Sequence, residues 1–181
     1  MRAVAEMTAH IPHPYPKESA ETAIFNARKG NALGDLLALA ITCKDKPEEM
    51  IGMISASPRE NGVPGFGYWL GLDHWGKGYA TEAAQAMIDA VFTMTGAAAI
   101  EADARVTNPA SRQVLEKCGF RHEGSRLKAM PARGGLYPCD RFRLERKTWA
   151  SLRNWAALKS WAVPNRLGEG SALAEIDVTC C

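Results

Sequence analysis

Cysteine is sparse here and poorly spaced for a structural role. Five cysteines stand scattered among 181 residues. The number is odd, and no CxxC or paired Cys/His spacing occurs, which argues against a disulfide framework and against a zinc site. Long apolar runs are missing as well. No uncharged stretch is long enough to span a bilayer, and nothing resembles the apolar core of a secretion signal. The expected compartment is therefore the cytoplasm, with no membrane association. Charge of one sign is not in excess: 22 Lys/Arg against 20 Asp/Glu leave a net +2, which gives no strong pull toward nucleic acid. No internal repeat is visible. What remains, 46% hydrophobic and 23% charged, suits a globular protein of one domain, long enough to bury a substantial core.

The most informative stretch is GFGYWLGLDHWGKGYATEAAQAMIDAVF (Gly65–Phe92). Phe66, Tyr68, Trp69, Leu70 and Leu72 suit a pleated strand covered on both faces. Ala80, Ala83, Ala84, Met87, Ile88, Val91 and Phe92 recur at helical period and make one apolar stripe. Between them, Gly76 and Gly78 allow a tight turn without Cβ atoms. The first amides of the helix then face outward with the positive end of its dipole behind them, a construction suited to a phosphate or pyrophosphate.

Three motifs compete for that anion. GLDHWGKG (Gly71–Gly78) nearly matches the P-loop GxxxxGK[ST], but Gly78 stands where the Mg²⁺-ligating hydroxyl belongs. A metal-ligating acid on AAAIEAD (Ala97–Asp103) would complete that NTPase reading. Gly76, Gly78 and Thr81 imitate a dinucleotide fingerprint whose third glycine is missing, with Glu101 or Asp103 as its acid. The third pattern is the acyl-CoA turn [QR]xxGx[GA], which Trp75–Ala80 (WGKGYA) matches except at Trp75.

YWLGLDHWGKGYATEA (Tyr68–Ala83) followed by IEADARVTNPASRQVLEKCGFRHEG (Ile100–Gly124) resembles the ribosomal-protein N-acetyltransferase (RimJ/RimL-type) branch of the GNAT superfamily. MTAHIPHPYPKESAETAI (Met7–Ile24) resembles the substrate-side segment of that branch. The resemblance covers most of Met7 to about Trp149. It implies a mixed α/β sheet with the acyl-CoA N-acyltransferase fold. It also implies a GNAT domain over residues 1–149; residues 150–181 read from their own pattern as a C-terminal helix and a disordered tail. Relatives of this kind usually begin with another strand and helix before the equivalent of Met7. This chain is expected to lack them, which would leave the strand at Asp35–Thr42 as an unpaired edge and a route to a homodimer.

The remaining elements follow from local pattern. Pro12, Pro14 and Pro16 predict an irregular residue 1–16 segment. A helix is predicted from Lys17 to about Lys29, with strands at Asp35–Thr42, Met50–Ser57 and Ala98–Val106. On the last strand Ile100, Ala102 and Ala104 share one face, and Glu101, Asp103 and Arg105 the other. Asn108 as N-cap, Pro109 at the first helical position and Gly119 at C′ bracket a short helix. Phe120–Leu127 and Cys139–Lys147 form a predicted hairpin. Nine Lys/Arg against three Asp/Glu between Arg121 and Arg153 read either as a solvated face or as a site for an acidic partner. Thr148–Trp161 is a predicted helix packing on the domain or on a second subunit. Pro164 ends it, and Cys180-Cys181 could be a lipidation signal.

In the family resembled, acetyl-CoA lies between two splayed parallel strands, here Gly65–Leu72 and Ala98–Val106. Backbone near Leu70 and Leu72 would pair with the pantetheine. The turn Trp75, Gly76, Lys77, Gly78, Tyr79, Ala80 and Thr81 would hold the pyrophosphate through its amides, and Asn108 would meet the pantetheine arm. Ser111 is implied as proton donor to the sulfur and Tyr68 as a catalytic phenol. Glu101, or Asp103 beside it, could act as base through a water, as could His10 or His13. Each has a plainer reading: a cap for Asn108, a helical serine, a packed tyrosine, salt-bridged carboxylates and exposed loop histidines. The implied activity is acetyl transfer to a primary amine, on a protein N-terminus or a small molecule. A non-catalytic acyl-CoA-binding module of the same fold is the alternative, and a P-loop-like NTPase a further one.

Overall fold

The computed structural model describes residues 2–59 and 61–161. Six strands form one sheet: β1 (Leu37–Cys43), β2 (Lys46–Ser57), β3 (Gly65–Leu70), β4 (Ala99–Arg105), β5 (Arg121–Met130) and β6 (Gly135–Glu145). Their order is β1-β2-β3-β4-β6-β5. Every neighbouring pair is antiparallel except β3 and β4. A parallel pair needs a crossover, and the helix α3 (Tyr79–Met94) provides it. The other helices are α1 (Arg2–Met7), α2 (Lys17–Leu33), α4 (Pro109–Lys117) and α5 (Arg146–Trp161). The mixed α/β sheet expected from sequence is present. No described strand precedes β1, which forms one edge of the sheet.

The stripe on α3 is the centre of the core. Ala83, Ala84, Met87, Ile88, Val91 and Phe92 are buried and pack with Ile54, Phe66, Ile100, Leu115, Phe142 and Leu144. Covering each of the larger side chains contributes roughly 1.5–3 kcal/mol. Strand alternation then fixes the opposite sheet face as the polar one, carrying Glu101 and Asp103 on β4.

Two ends of α3 are treated differently. At its C-terminal end Arg146 donates to the carbonyls of Phe92 (2.7 Å), Thr95 (2.6 Å) and Ala97 (2.8 Å). A cation on those carbonyls opposes the negative pole of the helix. Trp149 of α5 packs on Phe92 at 5.0 Å between ring centroids and donates its indole N–H to the Asp89 carboxylate. At the N-terminal end Gly78 is the cap residue and offers no side chain.

Several local expectations need correction. Residues 1–16 are not wholly irregular: α1 forms, with Val4 and Ala5 buried, because the three prolines lie beyond its end. Strand β3 stops at Leu70, so Leu72 falls in a 3₁₀ turn, Leu72–His74. The β5–β6 hairpin is tighter than predicted, with only a 3₁₀ turn, Pro131–Arg133, and the left-handed Gly134 between its strands. Pro164, the tail after it and Cys180-Cys181 lie outside the described residues. Among the described residues no helix is long and apolar enough to cross a membrane.

Candidate functional site

Strands β3 and β4 pair only at Gly65↔Glu101 and Phe66↔Ala102. Beyond those two pairs no ladder joins them, and the strands part. A cavity of about 1000 Å³ occupies the gap. Its walls include Tyr68, Trp69 and Leu70 from β3, and Asp103 and Arg105 from β4. Asn108, Ser111 and Val114 at the start of α4 close one side, and the turn before α3 closes another.

That turn is built by a chain of backbone bonds. Gly71 N–H donates to the Ile51 carbonyl (2.8 Å), His74 to Gly71 (3.0 Å) and Trp75 to Leu72 (3.1 Å). Trp75 adds a clasp that sequence reading missed: its indole N–H donates to the Leu70 carbonyl at 2.9 Å. The indole thus ties the end of β3 to the turn. Gly76 (φ +74°) and Gly78 (φ +89°) are both left-handed, and no protein atom lies within 4 Å of a Cβ built at either. A side chain there meets backbone strain rather than a clash.

Gly76, Gly78, Tyr79, Ala80 and Thr81 all line the cavity. The amides of Thr81 and Glu82 already donate to the Gly78 carbonyl, at 2.9 and 3.1 Å. The expected cradle is therefore narrowed: the Thr81 amide is committed within the helix. Lys77 and Leu72 do not line the cavity, and Leu72 is exposed. The off-cavity position of Lys77 also removes the P-loop reading, in which that lysine must reach the phosphates.

Across the gap, Asn108 accepts the Ser111 amide (3.1 Å) as the N-cap of α4. The cap fixes the first turn and with it Ser111. The Ser111 hydroxyl lies 2.9 Å from the Tyr68 hydroxyl, either being able to donate, and Tyr68 also reaches the Ser111 carbonyl at 3.3 Å. Burial pushes the Tyr68 phenol up to about 12, against a small lowering by the Ser111 bond. It stays protonated and can act only as a hydrogen-bond donor or relay. Two residues 43 positions apart are thus brought into one hydroxyl pair.

The β4 carboxylates are placed otherwise. Glu101 is buried and does not line the cavity. Its oxygens accept from Arg143 (2.9 Å), Arg59 (3.3 Å) and Asn61 (3.4 Å). A carboxylate so held, off the cavity wall, is not positioned to take a proton from an amine, which corrects its expected role as base. Asp103 does reach the cavity. Burial alone would raise its pKa, but Lys128 (2.6 Å), Arg126 (2.9 Å) and Arg59 (3.2 Å) outweigh that and hold it below the usual carboxylate value.

The cationic partners Arg59, Arg126 and Lys128 were not singled out from sequence. One signal was available: Arg126 and Lys128 alternate on β5, and Arg141 and Arg143 on β6, so each pair shares a sheet face. The N-terminal segment also forms part of the wall, through Val4, Met7, His10 and Tyr15. It is tied down by Arg105 to the Glu6 carbonyl (2.6 Å), Ala132 N–H to Ala9 (3.0 Å) and Arg133 to Ile11. His13 does not line the cavity, whereas His10 does.

Residues 1–121 match the family described as the acetyltransferase (GNAT) domain. The chain is 36% identical over 105 residues to the uncharacterized N-acetyltransferase p20 of Bacillus licheniformis, covering 57% of this chain and 59% of that protein. Overall it spans about half the length of the curated relatives it matches. Among solved structures, Mycobacterium smegmatis RimJ in complex with CoA-disulfide is 25% identical, with a TM-score of 0.64 over 77% of this chain and 68% of that one. The microcin C7 self-immunity acetyltransferase MccE, solved with acetyl-CoA and AMP, shares the fold at 21% identity, with a TM-score of 0.67 over 80% of this chain and 79% of that one.

Proposed function

Because the chain belongs to the GNAT acetyltransferase family, we propose that it moves an acetyl group from acetyl-CoA to a primary amine, on a protein N-terminus or a small molecule. One observation carries the reading: the parted strands β3 and β4, the glycine turn before α3 and the Tyr68–Ser111 hydroxyl pair all face one cavity. The fit of the co-substrate rests on this chain's own groups. Backbone left unpaired where β3 leaves β4 suits the amide-rich pantetheine arm. The N-terminus of α3, capped by Gly78 with no side chain, suits the pyrophosphate.

The thioester supplies an activated acyl carbon, so no enzyme nucleophile is required. The acceptor nitrogen forms the new C–N bond as the C–S bond breaks. One proton leaves the amine and one reaches the departing sulfur. Ser111 donates the latter from its hydroxyl. Tyr68 orients that hydroxyl and passes its own proton to Ser111 Oγ as the serine proton leaves. The phenol, whose proton affinity burial raises, then recovers a proton from solvent, balancing the one released by the amine. We assign removal of the amine proton to His10, which lines the cavity where Glu101 does not.

The test is thiol release from acetyl-CoA across a panel of amines, with the acetylated amine identified by mass spectrometry. Wild type should turn over. Ser111→Ala should lower kcat by about 100-fold or more while leaving the acetyl-CoA KM within a small factor. Equal kcat in the variant would return Ser111 to a structural role. Tight acetyl-CoA binding with no turnover on any amine would favour the non-catalytic module.

A further inference from the structure

A second chamber of about 450 Å³ opens beside the main cavity on the polar face of the sheet. The two share Ser55 of β2, Phe66 and Gly67 of β3, Asp103 of β4, Lys128 of β5 and His10. The junction therefore lies where β3 and β4 begin to part, one residue from Tyr68. Three cations line this chamber, Arg59, Arg126 and Lys128, against the single carboxylate of Asp103. Including Glu101, Arg143 and Glu145, which share salt bridges with this group, still leaves an excess of one positive charge.

Asp103 cannot satisfy its neighbours. Its side chain is 2% exposed and its two oxygens already meet all three cations. Yet Lys128 has three N–H donors and Arg126 five, and each reaches Asp103 through one nitrogen. Both remain partly open to solvent, at 34% and 45%. Arg59 packs close over Gly65, where a Cβ would meet its Nε at 2.3 Å. If salt bridging within the sheet were the whole purpose, one cation per carboxylate would suffice. The geometry instead leaves directed donors over an opening, the arrangement that receives a further carboxylate.

Resting on the acetyltransferase reading, we infer that the acceptor carries a carboxylate close to its reacting amine, and that Arg126 and Lys128 bind it, with Arg59 and Asp103 holding their positions. The same group disfavours polyamines, whose second charge is positive. The chemistry is shared by acidic amino acids and by peptides with Asp or Glu next to the N-terminus.

The test uses pairs whose α- or C-terminal carboxyl is amidated, so that one carboxylate is the only difference: glutamic acid α-amide against glutamine amide, a short C-terminally amidated peptide with Glu at position two against its Gln counterpart, and spermidine. Binding of each N-acetylated acid and amide is measured calorimetrically in the presence of CoA, and turnover of the free amines is measured separately. The acid should bind at least about tenfold more tightly than its amide in one of the pairs, and that pair identifies the source. Arg126→Gln should collapse the ratio toward one while leaving acetyl-CoA affinity and amide binding unchanged. Equal binding of acid and amide in both pairs, or preference for spermidine, overturns the inference. Acid-selective binding without turnover of any amine would instead strike the acetyltransferase reading and leave the anion site standing.

Discussion

Tyr68 packs its ring among core residues while its hydroxyl meets Ser111 at the cavity wall. The same burial that keeps the phenol protonated has a consequence for stability. The native phenol holds its proton to about 12, against 10.0 ordinarily. Buried Cys118 holds its proton to about 11, against 9.0. A folded state that keeps protons the unfolded chain has released loses stability as pH rises. These contributions are complete below pH 9 and are lost through about 11 for Cys118. For Tyr68 the loss runs from 10 to about 12. Denaturant melts at stepped pH should therefore show a shallower alkaline decline above pH 10 in Tyr68→Phe than in wild type. Parallel curves would contradict the burial argument. Legibility at this scale followed range. The Asn108 cap and the glycine turn are read within a few residues of sequence, and Ser111 follows from the motif. The contacts of Asp103 with Arg59 and Lys128 depend on which strands are neighbours, and no local pattern carries that.

Helix α3 links the proposed pyrophosphate site to the remainder of the fold, since its N-terminus faces the cavity and its C-terminus is held by Arg146 and Trp149. Replacing Arg146 with Ala leaves three carbonyls without their charged donor. The expected cost is about 2 kcal/mol, or roughly 4–8 °C in a domain of this size. Calorimetry on the unliganded protein checks it, and a melting temperature within a degree of wild type would contradict the capping role. The stripe that builds α3 was visible as periodicity, and so were all six strands to within a few residues of their ends. The end of β3 was read past Leu70, where the strand stops. An apolar Leu72 extends the strand pattern, but Gly71 donates to Ile51 and the chain turns into a 3₁₀ segment closed by Trp75. Helix α1 was hidden by prolines that lie just downstream of it.

At the scale of the molecule, one departure from regular pairing makes the site: β3 and β4 share two residue pairs and then separate. Periodicity predicted both strands but not their parting. The sheet order, with β6 between β4 and β5, decides which basic residues face Asp103. That order set the cationic chamber beyond what a charge count could reveal. In the proposed complex acetyl-CoA occupies the parted strands with its pyrophosphate on the turn ending at Gly78. Thermal melts of wild type and Gly78→Val, with and without acetyl-CoA, test it most directly. At about 100 times its Kd the ligand adds roughly 2.7 kcal/mol to the native state, a rise of roughly 5–10 °C. Wild type should show that rise. Gly78→Val, folded by circular dichroism but with a β-branched residue forced to φ +89°, should show little or none. No shift in wild type, or the same shift in both proteins, would contradict the account.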